Sequence, residues 1–202
     1  MDESVRKAMA KWPDVPALYG WLRLDTTGPW HLKGEPITHR GMIDFINRNY
    51  QPDEHGRWHF QNGPQRAYVS LDYTPWILHV DSAGQLRTHT GETATPAERA
   101  AVDDQGNLLI ETTKCVGLLD PGALAIVSEW LLDADGAPAS DDSLAAVMAG
   151  AAGGSIHLAI AGRSLPLQRI PRAEVPDRFG FISRPRPDDV EDGDSDKGTE
   201  PA

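Results

Sequence analysis

The chain has 202 residues, 40% of them hydrophobic, and a formal net charge of −11. No stretch approaches the roughly 18 consecutive apolar residues a membrane-spanning helix needs, and the acidic balance disfavours a phosphate backbone, so neither a membrane nor duplex nucleic acid is an expected partner. The single Cys115 excludes an internal disulfide, and the acidic start Met-Asp-Glu-Ser lacks the apolar core of a secretory signal, so a cytoplasmic location is expected.

Residues 3–12 read as a short helix, with Val5, Met9 and Trp12 at helical spacing. Alternating apolar residues from Gly20 onward then turn at Asp25 and return through Trp30 and Leu32. A helix is expected over 38–49, striped by Met42, Ile43, Phe45 and Ile46, with Thr38 as its N-cap. Further hairpins turn at Asp53, at Asn62-Gly63-Pro64, at Asp81 and at Asp103.

Four of these turns share one phrase: Asp, then Gly three residues later, then a large apolar residue two further on. They are Asp25-Gly28-Trp30, Asp53-Gly56-Trp58, Asp81-Gly84-Leu86 and Asp103-Gly106-Leu108. An Asp carboxylate caps such a turn and Gly takes its positive-φ position, so the phrase encodes hairpins and no reaction. Residues 95–101 read as a helical turn. Asp120-Pro121 opens a helix expected over 120–133, and another follows over 141–149. Residues 155–161 and 164–170 read as strands, and Pro171 to Pro187 as an ordered, strand-poor wrap.

The charge is uneven. Residues 188–202 hold seven acids against Lys197, whereas residues 1–80 balance at zero. Eleven of the fourteen aromatic residues fall between Trp12 and Trp76. This asymmetry divides the chain into an aromatic-rich hairpin and helix unit (1–80), a mixed β/α unit (81–187) and a disordered acidic tail (188–202).

Chemistry is sparse. His31 and His59 follow the tryptophans of two hairpins; strand alternation reads them as solvated, outward partners of inward Trp30 and Trp58, and Trp21 is read as inward too. No metal spacing supports a metal site, and no cofactor is expected. Cys115 lies in an apolar stretch, as a buried, inert thiol does. The run from Gly150 to Gly154 lacks the Lys-Ser/Thr of a phosphate loop.

The densest candidate is the segment from Trp58 to Tyr68. Amides and a cation against aromatic faces suit a sugar, a nucleotide or a carboxylate, and the candidate binding residues are Trp58, Gln61, Asn62, Arg66, Tyr68, Asn47 and Arg48. On a strand Arg66 and Tyr68 share a face that Gln65 does not. A second cationic cluster, Arg163, Arg169, Arg172, Arg178, Arg184 and Arg186, lies late in the chain.

The pattern Gly20-Trp21, Gly28-Pro29-Trp30, Pro36-Ile37, Gly56, Trp58, Tyr68-Val69 and Pro75-Trp76 resembles an uncharacterised proteobacterial domain-of-unknown-function family. The likeness continues through Leu86 to Gly91 and residues 120–132, and stops short of 140–187. It implies a soluble α+β protein and carries no activity, cofactor or catalytic residue. The reading is therefore an α+β protein with a β-hairpin-rich N-terminal unit holding one packed helix, then a mixed β/α unit and the tail. Its expected role is a non-enzymatic module for an unknown small ligand or protein partner. The alternatives are a hydrolase- or transferase-type enzyme with a site between the halves, and a structural subunit of a complex.

Overall fold

The computed structural model describes residues 1–12, 15–81, 83–150 and 156–187. The acidic tail, and most of the run from Gly150 to Gly154, lie outside them. The fold is mixed α+β with two sheets, of six and eight strands. It divides into two compact units, one built from the described residues of Met1–Leu24, Trp30–Leu71 and Phe181–Ala202, the other from those of Asp25–Pro29 and Asp72–Gly180.

The Asp turns are built alike. In each, the Gly N–H donates to the Asp carbonyl and the Asp N–H to the carbonyl four residues on, as for Asp53 with Gly56 (3.2 Å) and Arg57 (2.9 Å). Asp53 Oδ1 accepts from the backbone of His55 and Arg57, and Asp81 and Asp103 repeat the pattern. Gly56 sits at φ 76°, where a Cβ would strain the backbone. A fifth copy, Asp133 to Gly136, stands where the sequence reading ended a helix. It escapes the sequence pattern because Pro138 replaces the large apolar residue.

The first unit contains α1 (Glu3–Lys11), β1 (Leu18–Leu24), β2 (Trp30–Leu32), β3 (Glu35–Pro36), α2 (Arg40–Arg48), β4 (Tyr50–Pro52), β5 (Trp58–Asn62) and β6 (Gln65–Leu71). The sheet runs β3-β2-β1-β6-β5-β4, and β1 lies parallel to β6 among antiparallel neighbours. His39, rather than Thr38, caps α2: its Nδ1 accepts from the Met42 N–H at 3.2 Å. One sheet face carries an aromatic core. Tyr50 stands between Trp30 (5.0 Å) and Trp58 (4.8 Å), and Phe60 meets Phe45 of α2 edge-on at 5.4 Å. Trp30 and Trp58 are both 2% exposed, as alternation requires.

Trp21 departs from the expectation and is 44% exposed. The pairing of β1 with β6 slips between Leu18 and Leu22, so alternation does not carry through Trp21. Its ring is covered by Lys33 Nζ at 3.6 Å instead of by the core. His59 also departs: it is 1% exposed, because the sheet face opposite the aromatic core is itself covered.

The second unit contains β7 (Trp76–Val80), β8 (Leu86–Thr88), β9 (Pro96–Asp103), β10 (Leu108–Thr112), β11 (Val116–Leu119), α3 (Leu124–Val127), β12 (Leu131–Leu132), α4 (Asp141–Met148), β13 (His157–Ile160), β14 (Arg163–Ile170) and α5 (Val175–Phe179). The sheet order is β12-β13-β14-β9-β10-β11-β7-β8. β7, which the sequence division at residue 80 puts in the first unit, pairs with β11 here.

The helical turn read at 95–101 is β9, a central strand held by β10 and β14. Ala100 and Ala101 are helix formers by propensity, but pairing on both sides decides their conformation. The helix read over 120–133 is three short helical segments that give way to β12, because Leu131 pairs with Leu158.

Candidate ligand-binding site

The hairpin of β5 and β6 closes at Gly63-Pro64, with Asn62 opposite Gln65. This register sets Gln61 against Arg66 and His59 against Tyr68 on one face, and Asn62 with Gln65 on the other. Gln61, Arg66 and Tyr68 line a cavity of about 380 Å³, closed on its far side by Met9 and Trp12 at the end of α1 and by Val15 and Ala17. Asn62 and Gln65 line a different groove, with Trp21, Leu32 and Met42.

Behind the cavity lies a buried polar cluster. Asp53 Oδ2 accepts from Arg57 Nε at 2.8 Å and from the Tyr68 hydroxyl at 3.0 Å. Arg57 Nη2 donates to the Tyr68 hydroxyl at 2.9 Å, and the guanidinium stacks 4.6 Å over the Tyr68 ring. Tyr19 stacks on the same ring at 4.7 Å and 15°. Burial pulls the Asp53 carboxyl upward, but hydrogen bonds from Arg57, Tyr68 and the His55 backbone outweigh it and hold it below its ordinary value. Burial raises the Tyr68 hydroxyl, against a lowering hydrogen bond from Arg66.

His59 is neutral. Burial, and after it the nearby Arg66 charge, push it down to about 4. Gln51 Nε2 lies 3.5 Å from its Nε2, so that nitrogen is the acceptor and the proton sits on Nδ1.

Three polar atoms of β5 and its approach are buried without a hydrogen-bond partner among the described residues: Arg57 Nη1, His59 Nδ1 and Gln61 Oε1. Their residues occupy alternate positions, about 6–7 Å apart along the backbone, and so share one face. Gln61 is oriented by its amide nitrogen, which donates to the carbonyls of Gly63 (2.9 Å) and Gln65 (3.4 Å). That leaves Oε1 without a hydrogen bond of full geometry among the described residues, with the protonated Nδ1 of His59 as the donor group that feels it. Buried polar groups are satisfied in the great majority of native proteins, and an unsatisfied one costs roughly 1–3 kcal/mol.

The other sequence candidates do not reach this cavity. Trp58 belongs to the aromatic core. Asn47 Oδ1 accepts from Trp30 Nε1 at 2.8 Å, and Arg48 pairs with Asp2 at 3.4 Å. The sequence reading missed Met9, Trp12, Arg57 and His59. Counting back from the Asn62-Gly63-Pro64 turn sets His59 opposite Tyr68, so that signal was present. Nothing local brings α1 to the hairpin.

Elsewhere, His79 Nδ1 lies 3.2 Å from Asp120 Oδ2. Burial pushes the Cys115 thiol up to about 11, which leaves it a poor nucleophile at neutral pH. Among the described residues no three His, Cys, Asp or Glu side chains converge to hold a metal, and no helix is long and apolar enough to cross a membrane.

The structure is similar to the crystal structure of a DUF1285 family protein from Silicibacter pomeroyi DSS-3. The TM-score is 0.52 at 18% identity, over 79% of this chain and 86% of that one, a likeness of fold. No curated protein matches the sequence. The model of a family, DUF2944, described as "Protein of unknown function (DUF2946)", matches residues 1–186, including the stretch 140–186 that the sequence resemblance did not reach.

Proposed function

As a member of the DUF2944 family, to which this chain belongs, the protein inherits no assigned activity, and we propose that it is a non-enzymatic module that binds a small anionic ligand in the cavity beside Tyr68. The observation that carries this is Gln61, which lines the cavity: it is fully buried, oriented by two carbonyls, and its oxygen lacks a hydrogen bond of full geometry among the described residues. Arg66, exposed and without an acidic partner among the described residues, supplies the cation beside it. Trp12, 58% exposed, and Met9 supply an apolar wall. The cavity's size suits a small molecule. The ligand that fits carries an anionic group for Arg66, an N–H or O–H for Gln61 and a flat apolar part for Trp12.

Binding is favoured over catalysis by the state of the ionisable groups. A general base works best with a pKa near the operating pH. Here His59 is held neutral, Asp53 is locked to Arg57, and Tyr68 is raised.

The test is a thermal-shift and calorimetric screen of nucleotides, sugars and organic acids against the wild-type chain and Arg66→Ala. A hit should lose about 10- to 100-fold affinity in Arg66→Ala, the effect of removing a charged hydrogen bond, while the variant's own melting temperature holds. A hit that binds Arg66→Ala undiminished sinks the assignment, as does a screen without hits.

A second reading, a protein-interaction module, has one observation behind it. Trp21, Leu32 and Met42, all at least 36% exposed, line one groove of about 280 Å³. Sedimentation of the wild type against Trp21→Ser measures self-association through this face. A wild type that stays monomeric at high concentration removes self-association from that reading.

A further inference from the structure

We infer a second ligand site in the other unit: an apolar cavity that takes the hydrocarbon chain of a medium-chain carboxylic acid, with Arg169 at its rim for the carboxylate. The floor is a sheet face carried by Val102 of β9, Leu108 of β10 and Leu167 of β14. The cover is Val127 of α3 with Val147 and Met148 of α4. The cavity measures about 320 Å³. Folded interiors keep few voids larger than a water, so a space of this size between a sheet and two helices points to a guest.

Its chemistry selects that guest. Ser128 is the one polar side chain among the described lining residues, and its hydroxyl is spent on the Ala125 carbonyl at 2.9 Å. A sugar or a nucleotide would give up hydrogen bonds to water there and gain none, whereas an alkyl chain gives up none. The wall beside Tyr68, with Gln61 and Arg66, is polar by comparison. At about 30 Å³ per methylene, the share of one water, the cavity holds about ten carbons.

The anion-binding end follows from strand register. Leu108 pairs with Val102 and Val102 with Arg169, so the three form one cross-strand row on the same face. Arg169 therefore leaves β14 on the cavity's side, two residues beyond Leu167. Its Nη1 lies 3.8 Å from where a Cβ on Gly150 would stand, which puts the guanidinium at the C-terminal end of α4, just past Met148. The partial negative charge of that helix end favours a cation there. Arg169 has no acidic partner among the described residues, although the chain carries 30 acids. An exposed arginine held at the rim of an apolar cavity, with its fork unspent, is matched to a carboxylate that arrives with the ligand.

The experiment is calorimetric titration of the full chain with hexanoate, octanoate, decanoate and decanol, each below its micelle-forming concentration. Wild type is expected to bind one equivalent of decanoate, with affinity rising about fourfold per methylene from hexanoate to decanoate as each leaves water. Arg169→Ala should bind decanoate about tenfold more weakly and decanol as wild type does, with an unchanged melting temperature because the side chain is exposed. Ser128→Phe, which sets a ring on the wall from an exposed position, should weaken both ligands. Absence of decanoate binding by the wild type overturns the proposal, as does an affinity independent of chain length. So does an Arg169→Ala chain that binds decanoate normally or loses decanol equally. Loss of decanoate binding in Arg66→Ala, with Arg169→Ala unaffected, also overturns it and moves the acid to the cavity beside Tyr68.

Discussion

Each unit contains one Asp-Tyr-Arg trio, built from the same three side chains to different ends. In the second unit, Asp103 Oδ2 accepts from the Tyr73 hydroxyl at 2.7 Å and from Asn107 Nδ2 at 2.8 Å, and Arg172 lies 3.6 Å away while stacking 3.6 Å over the Tyr73 ring. In the first unit, Asp53, Tyr68 and Arg57 repeat the scheme. Both aspartates open an Asp-x-x-Gly turn that uses Oδ1, which leaves Oδ2 for a tyrosine and an arginine. The difference lies in the neighbours. Around Asp103 the valences close, and the trio fastens Tyr73 and Arg172 to a turn. Around Asp53 they do not: among the described residues Arg57 Nη1, His59 Nδ1 and Gln61 Oε1 are buried without a hydrogen bond of full geometry, beside a cavity with an exposed cation. A polar cluster is scaffold or site according to what its surplus hydrogen-bonding groups meet.

The strongest way to break this comparison is Asp103→Ala. It would leave the Tyr73 hydroxyl and Arg172 facing a buried gap, so urea denaturation should show a loss of about 3–5 kcal/mol. A loss under about 1 kcal/mol would show that the trio fastens nothing.

The next effect is acid sensitivity. His59 takes up a proton near pH 6.5 in the unfolded chain and only at about 4 when folded. Its contribution to stability is therefore whole above pH 6.5 and is lost as the pH falls toward 4, about 3 kcal/mol in all. His89 of the second unit, lowered to about 3 by burial and secondarily by the His79 charge, is lost in the same direction. Denaturation of His59→Phe at pH 7 and pH 4 should show a smaller acid loss than wild type, and what remains belongs to His89 and to the carboxylates held low in the fold, Asp53 and Asp103 among them. An unchanged acid loss would mean His59 is protonated in the fold.

Within the first unit, Trp30→Ala should cost about 3–5 kcal/mol and the exposed Trp21→Ala less than about 1 kcal/mol. Equal costs would mean the slip between Leu18 and Leu22 does not release Trp21 from the core. The smallest effect is deletion of residues 188–202. With Val190 as its one branched aliphatic, that stretch has too little apolar surface to offset ordering, and the melting temperature should move by less than about 2 °C.

Local chemistry was open to sequence reading. The Asp-x-x-Gly turns, the α2 stripe and the burial of Trp30 and Trp58 each depend on residues a few positions apart, whose side chains and φ preferences interact within the same segment. The same holds for Arg66 and Tyr68 sharing a face that Gln65 does not. Long-range pairing decided the rest. The slip in β1 exposed Trp21, the two flanking strands made β9 out of a helix-forming stretch, and Leu158 drew Leu131 out of the expected helix. Both proposed sites depend on such contacts: α1 reaches the cavity from some fifty residues before the hairpin, and α4 covers the apolar cavity over β9 from across the second unit. No propensity or spacing records these, because packing free energy depends on which surfaces meet rather than on which residues are adjacent.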